Sequence, residues 1–338
     1  MKVALLAFSL VVITRVLATP SLKLTVSGSE KIIDIDNLVI NTTLTNIGSE
    51  SVKLLRDPQS ILSQWRTNKF TFSGAQGTPL FTGIMLKYSP ESALRYDNES
   101  NFVVLTPGKS FKISHHLAGA YDFTRSGPGK YEYIDKSGKL SAITAATHSR
   151  NLNVTGKLFA SKSIEHQQGG LVARAIGYVG CSSAQQTQIA TAATTANSYV
   201  DESIRYLAGI SSGTPRYTTW FGPFTSSGFT IVKSIYAKIG TDATSTTYDC
   251  TCTDPSVYAY VYPSTAGRMY LCGAFWSASN SGHDSRAGII IHEQSHFTVN
   301  GGTNDSPYGQ FDPKSFAALP IMSADSYQYF AENTPPLP

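Results

Sequence analysis

The stretch His292–Gly309, HEQSHFTVNGGTNDSPYG, constrains this chain more than any other. Two histidines four positions apart fall on one side of an α-helix, because 3.6 residues per turn brings i and i+4 into line. Two imidazoles so placed can share one zinc ion, and the intervening Glu293 can reach a water on that ion. The preceding residues, Ala287 to Ile291, are apolar enough for a buried helix that holds the pair rigidly. Asp284 or Ser285 is suited to cap its start. A catalytic zinc site takes three protein ligands and keeps one position open, so the chain has to turn back and supply a third group. Asn300, Gly301 and Gly302 stop the helix, since glycine accepts positive φ without penalty. Asp305 follows that reversal, nine residues beyond His296. These residues predict a zinc peptidase with His292, His296 and Asp305 on the metal and Glu293 as general base.

The longer pattern is more specific. HExxH followed by Gly302-Thr303-Asn304-Asp305-Ser306-Pro307-Tyr308-Gly309 resembles the deuterolysin, or aspzincin, family of zinc peptidases. The likeness extends to YTTWFG at Tyr217–Gly222, DCTC at Asp249–Cys252 and YLCGAFW at Tyr270–Trp276. In that fuller form it is similar to the fungal peptidyl-Lys metalloendopeptidases. The resemblance implies the same three ligands, the same base, and Tyr308 as a donor to the oxyanion. It also implies that Asp325, within Met322–Asp325, accepts the ammonium of a lysine just after the scissile bond. Such a partly desolvated carboxylate suits lysine. The competing reading makes Asp325 a plain cap for a terminal helix around Tyr327–Ala331, and Tyr308 a packing residue. The lysine-specific relatives carry a second acidic residue three positions further on, where this chain has Gln328. A weaker lysine preference with some tolerance of arginine is therefore expected.

The 338 residues are long for one core, so two domains are the natural expectation. Residues 1–18 read as a secretory signal peptide, with a lysine at position 2, an apolar run and a Val-x-Ala end. Arg15 interrupts the run and argues against a retained anchor, so the product is expected outside the cell. Cys181, Cys250, Cys252 and Cys272 then read as two disulfides with three possible connectivities, Cys250 and Cys252 being too close to pair comfortably. The resemblance implies Cys181–Cys250 and Cys252–Cys272. A thiolate metal site fits poorly, because the CxC lacks the CxxC spacing of a zinc knuckle.

Charge divides the chain. Residues 19–176 carry 18 Lys and Arg against 12 Asp and Glu, whereas residues 177–338 carry 7 against 11. Opposite net charges favour mutual attraction. There is no Lys/Arg stripe of the kind that binds nucleic acid.

Residues 19–158 alternate apolar and polar residues over 22–26, 37–46, 51–55, 102–106, 110–114 and 130–134, separated by Gly and Pro. That pattern predicts an all-β, sandwich-like domain, and its place ahead of the zinc motif predicts a propeptide. It has no cysteine, so thiol latency is excluded. Blocking of a metal by His115 or His116 is a lesser alternative to simple coverage of the cleft. Asn41, Asn98 and Asn153 are glycosylation sequons; Asn304 is formally one too, but a glycan there would crowd the metal, and it is expected to be unmodified.

Residues 159–176 read as a linker cut near 174–177, and 177–338 as an α+β, zincin-like catalytic domain. Ile189, Ala193, Ala196, Val200, Ile204 and Leu207 mark an amphipathic helix ended by Gly209, and 230–239 a second. Residues 258–263 and 268–276 read as strands, one of which could hold extended substrate along a sheet edge. The function expected is a secreted zinc endopeptidase, made as a proenzyme inhibited by its own propeptide, cutting proteins before lysine. The alternatives are a deuterolysin-like enzyme of broader specificity and a catalytically silent wall or adhesion module.

Overall fold

The computed structural model describes residues 21–95, 99–135, 145–146, 150–160, 175–305 and 320–338. In the N-terminal part the strands are β1 (Leu22–Gly28), β2 (Lys31–Ile33), β3 (Val39–Asn46), β4 (Val52–Leu55), β5 (Phe70–Gly74), β6 (Leu80–Phe81) and β7 (Met85–Tyr88). After the short helix α1 (Pro90–Arg95) come β8 (Phe102–Leu105), β9 (Ser110–His116), β10 (Tyr121–Asp122), β11 (Gly129–Asp135), β12 (Ala145–Ala146) and β13 (Arg150–Thr155). Two four-stranded sheets, β12-β1-β3-β9 and β2-β13-β11-β5, dominate this part. Alternation drives them together: Leu22, Leu24 and Val26 of β1 are buried while Lys23, Thr25 and Ser27 face solvent. They share one core with Ile40, Phe70, Phe72, Leu152 and Val154.

The C-terminal part is α+β. It contains β14 (Gly177–Val179), α2 (Ser183–Gly209), α3 (Pro215–Phe221), α4 (Ser226–Ile239), β15 (Thr247–Asp249), β16 (Val257–Val261), β17 (Arg268–Leu271), α5 (Gly273–Ser277), α6 (Arg286–His296) and α7 (Ala324–Glu332). Helix α2 begins in a capping box: Ser182 Oγ accepts from Gln185 N and the Gln185 side chain accepts from Ser182 N. It buries the predicted Ile189, Ala193, Ala196, Val200 and Leu207. The second core also gathers Tyr217, Tyr236, Tyr248, Phe275, Phe330 and the three isoleucines of α6. Disulfides join Cys181 to Cys250 and Cys252 to Cys272, the pairing that the resemblance implies.

One expected strand is corrected. Residues 268–276 do not run on as a strand: β17 stops at Leu271 and α5 begins at Gly273. An apolar run of this length carries no period that separates strand from helix. Here the chain turns where Cys272 is bonded to Cys252 and Gly273 N donates to Asp254 O. Gly273 is required at that turn, because a Cβ there would lie 2.7 Å from Cα of Pro255.

The sheet of the C-terminal part has five strands in the order β14-β15-β17-β16-β7. Its edge is not made by its own half. Strand β7, which precedes α1 in the N-terminal half, pairs antiparallel with β16, matching Met85 to Val261, Leu86 to Tyr260 and Lys87 to Ala259. Met85 joins the C-terminal core, while Leu86 and Tyr88 pack with Val257 and Cys272 in a smaller cluster.

Candidate active site

The site is assembled on α6, whose residues Ala287 to His296 are all buried. A helix buried all round needs its free terminal N–H groups satisfied from outside its own turns. Ser285, not Asp284, is the cap: its Oγ accepts from Gly288 N at 3.0 Å. Glu332 of α7 reinforces it, with Oε1 accepting from Ser285 N and Ser285 Oγ, both at 2.9 Å, and Oε2 from Asp284 N at 3.1 Å. Burial pushes the Glu332 carboxyl up to about 7. The carboxylate sits so close to the first turn that any side chain at 288 would have to displace it, since a Cβ there would lie 1.8 Å from Oε1.

The helix ends at His296, with Phe297 as its C-cap, four residues ahead of the glycines that make the reversal. Asn300, Gly301 and Gly302 N–H groups all turn back to Phe297 O, and Gly302 adopts φ 61°. The chain then runs back along the helix, Thr303 N donating to Ser295 O and His296 Nδ1 donating to Thr303 O at 2.9 Å. In the neutral imidazole, that second contact leaves the lone pair on Nε2 of His296. Asn304 forms a bridge with Ser323 ahead of α7, through Asn304 N to Met322 O and Ala324 N to Asn304 O. Asp305 is thereby returned to the helix, and Asp325 is brought up from the other side.

The outcome is a tight convergence. Asp305 Oδ1 lies 3.1 Å from His292 Nε2 and 2.9 Å from His296 Nε2. Nε2 of His296 is fully buried yet has no in-line hydrogen-bond partner among the described residues. Two imidazole nitrogens and a carboxylate oxygen facing one point, one of them an orphan, fit a zinc ion, for which they are ordinary donors. Burial opposes charge on His292 and Asp305, and their contacts with one another and with neighbouring groups outweigh it. His292 rises to about 9, through its hydrogen bond to Asp305 and then its neighbour Asp325. His296 and His292 hold Asp305 well below the usual carboxylate range. Glu293, wholly buried on the same helix, is pushed up to about 7 by that burial.

Asp325 lies 3.0 Å from Nδ1 of His292, out of line for a hydrogen bond, and 2.7 Å from Nζ of Lys87. Burial works against its charge, but Lys87 and His292 lower it to about 2. It is therefore no simple helix cap; the N-cap of α7 is Ser323. Tyr308 lies outside the described residues, as do Asn98 and most of the expected linker. His115 does not approach this site: it is buried in the N-terminal core, 3.0 Å from Thr42 Oγ1 and edge-on to Phe70.

Comparisons with known proteins give the family. The aspzincin family model, described as "Lysine-specific metallo-endopeptidase", matches residues 206–332. A "Peptidyl-Lys metalloendopeptidase" of Armillaria mellea is 41% identical over 94% of this chain and 93% of its own. One of Grifola frondosa is 42% identical over 94% of each. Another, of Pleurotus ostreatus, is 49% identical over 47% of this chain and 98% of its own.

This chain is an aspzincin. It is a zinc metalloendopeptidase, and the alternative of a silent adhesion module falls. Among aspzincin features, the HExxH helix and its returning Asp305 were legible from local spacing. Lys87 and Tyr329 carry no such signal, and both meet Asp284 beside Asp325. Asp284 was weighed only as a cap; it instead takes φ 48° and turns its carboxylate toward Lys87, 3.6 Å from Nζ. A carboxylate next to a strong helix cap gives no sequence signal of that kind.

Proposed function

We propose that the chain is a secreted proenzyme whose C-terminal part cuts peptide bonds on the N-terminal side of lysine. Residues 1–18 serve as the signal peptide, 19–158 as the prosegment and 159–176 as a linker cut near 174–177. Residues 177–338 form the catalytic domain. The separate cores of the two halves support this division. So does the Pleurotus ostreatus relative, nearly all of whose own length corresponds to less than half of this chain.

The observation that carries the catalytic reading is the meeting of His292, His296 and Asp305 within 4.8 Å of one another, with Glu293 on the same helix. These three residues would hold zinc, which when bound acidifies a water and polarises the substrate carbonyl. Glu293 takes the proton of the attacking water and returns it to the leaving amine. Tyr308, in the Gly-Thr-x-Asp-x-x-Tyr-Gly pattern, donates to the oxyanion. Asp325 accepts the lysine ammonium, a role supported by the ammonium of Lys87 against it. Gln328 favours a second reading, a broader specificity, since an amide replaces a charge.

Mass spectrometry of the peptides released from a denatured protein by the processed enzyme separates the two. The expected result is lysine at the first position of most new peptides, with a minority of arginine. Unselected first residues would leave only the broader peptidase.

A further inference from the structure

Strand β7 enters the site more fully than a cover requires. Its backbone adds to the free edge of β16, so an extended segment is held by ladder hydrogen bonds in the way a bound peptide is. Leu86 N donates to Asp305 Oδ2 at 2.9 Å, and Lys87 N donates to Glu293 Oε1 at 3.1 Å. The nitrogen of the Leu86–Lys87 peptide bond thus faces the carboxylate that must protonate a leaving amine. On the C-terminal side of that bond, the Lys87 side chain is buried, with Nζ donating to Asp325 Oδ1 at 2.7 Å and to Tyr329 Oη at 3.2 Å. Nζ also lies 4.7 Å from the centre of the Tyr329 ring.

We propose that residues 84–89 are a built-in substrate mimic, with Leu86–Lys87 at the scissile position. Asp284 and Tyr329 then complete the lysine pocket around Asp325. This rests on the lysine-directed reading above and deepens it in two ways. First, the unprocessed chain is latent because its own Lys87 competes, at the effective concentration of a tethered group, with every lysine-bearing substrate. Secondly, the pocket keeps two carboxylates although residue 328 is an amide. Tyr329 Oη donates to Asp284 Oδ1 at 2.7 Å, and Gln328 Nε2 reaches the same oxygen at 3.4 Å. His283 Nδ1 lies 2.9 Å from the other oxygen. These contacts aim Asp284 at the ammonium, and Gln328 orients the second charge that it does not itself carry.

Three measurements test the proposal. In the full-length, zinc-loaded chain carrying Glu293→Gln, a fluorescent acetylated peptide of residues 84–89 should bind poorly. Adding Lys87→Met should strengthen its binding at least tenfold in fluorescence anisotropy, while Lys87→Arg, which keeps a charge in place, should give less. Equal binding with and without Lys87 overturns the mimic. If Lys87→Met does not fold, the same peptide offered to the processed wild-type enzyme must be cut between leucine and lysine, and absence of that cut overturns it instead. In the processed enzyme, Asp284→Asn should raise KM for lysine substrates about tenfold with kcat little changed; an unchanged KM removes Asp284 from the pocket. Zinc content and cleavage before lysine by the processed wild type are measured alongside. If these hold while the Lys87 variants behave as wild type, the inference alone fails; if the enzyme binds no zinc or ignores lysine, the underlying reading fails.

Discussion

Glu293 and Asp325 are both buried acids, and their surroundings suit them to the opposite tasks proposed for them. Among the described residues Glu293 has only the Lys87 N–H on one oxygen and no partner on the other, and burial raises it to about 7, a value suited to receiving and releasing a proton near neutrality. Asp325 faces an ammonium and stays charged, which is what recognition of a cation needs. Glu293→Gln should therefore lower kcat of the processed enzyme by about 10²–10⁴-fold, with zinc content by atomic absorption unchanged. Asp325→Ala should cut kcat/KM for lysine substrates by about 100-fold, the usual scale for truncating one partner of a buried charge pair. Turnover of substrates with a neutral residue at that position should fall far less, and a uniform loss would assign Asp325 to positioning His292. The two histidines and Glu293 are legible because one helical turn relates them. Lys87 is 206 residues from Glu293, and nothing in its own neighbourhood marks it.

At the level of elements, α6 depends on α7. The terminal helix supplies Glu332 as an external cap, and Gly288 leaves the space for it. Gly288→Ala should displace that carboxylate from the N–H groups of Asp284 and Ser285. A cost of about 3 kcal/mol follows from lost hydrogen bonds and overpacking. That should appear as a fall of about 6–12 °C in Tm by calorimetry, the gain of a better helix former notwithstanding. Helices α2 and α4 were readable from period and caps, being long enough for their apolar stripes to repeat. The short α3 and α5 were not, because seven and five residues span too few turns to show a stripe. Strand β7 escaped for a different reason: all four of its residues are buried, so it shows no alternation.

On the scale of the whole molecule, the N-terminal half has its own acid weakness. His115 is buried beside Thr42 and Phe70, and burial lowers it from its ordinary range to about 3, with Lys69 and His116 adding to the effect. Its neutral form favours the folded state, so this contribution is complete above about pH 6.5 and is lost as pH falls toward 3. A depression of that size corresponds to about 4–5 kcal/mol. The near-UV signal of the full-length chain should be lost at higher pH than in His115→Gln, and a coincident acid transition would contradict this. Acid should also loosen the hold of β7 on the cleft, because that strand is part of the same half. By itself the sequence determined what lies close along the chain: the helix with its two histidines and base, the glycine reversal that returns Asp305, and the apolar periods of the larger elements. Each follows from backbone geometry over a few turns. Only the tertiary structure decided that a lysine from the first half would lie against an aspartate from the last helix, since such a contact is fixed by how two cores pack and leaves no period in either segment.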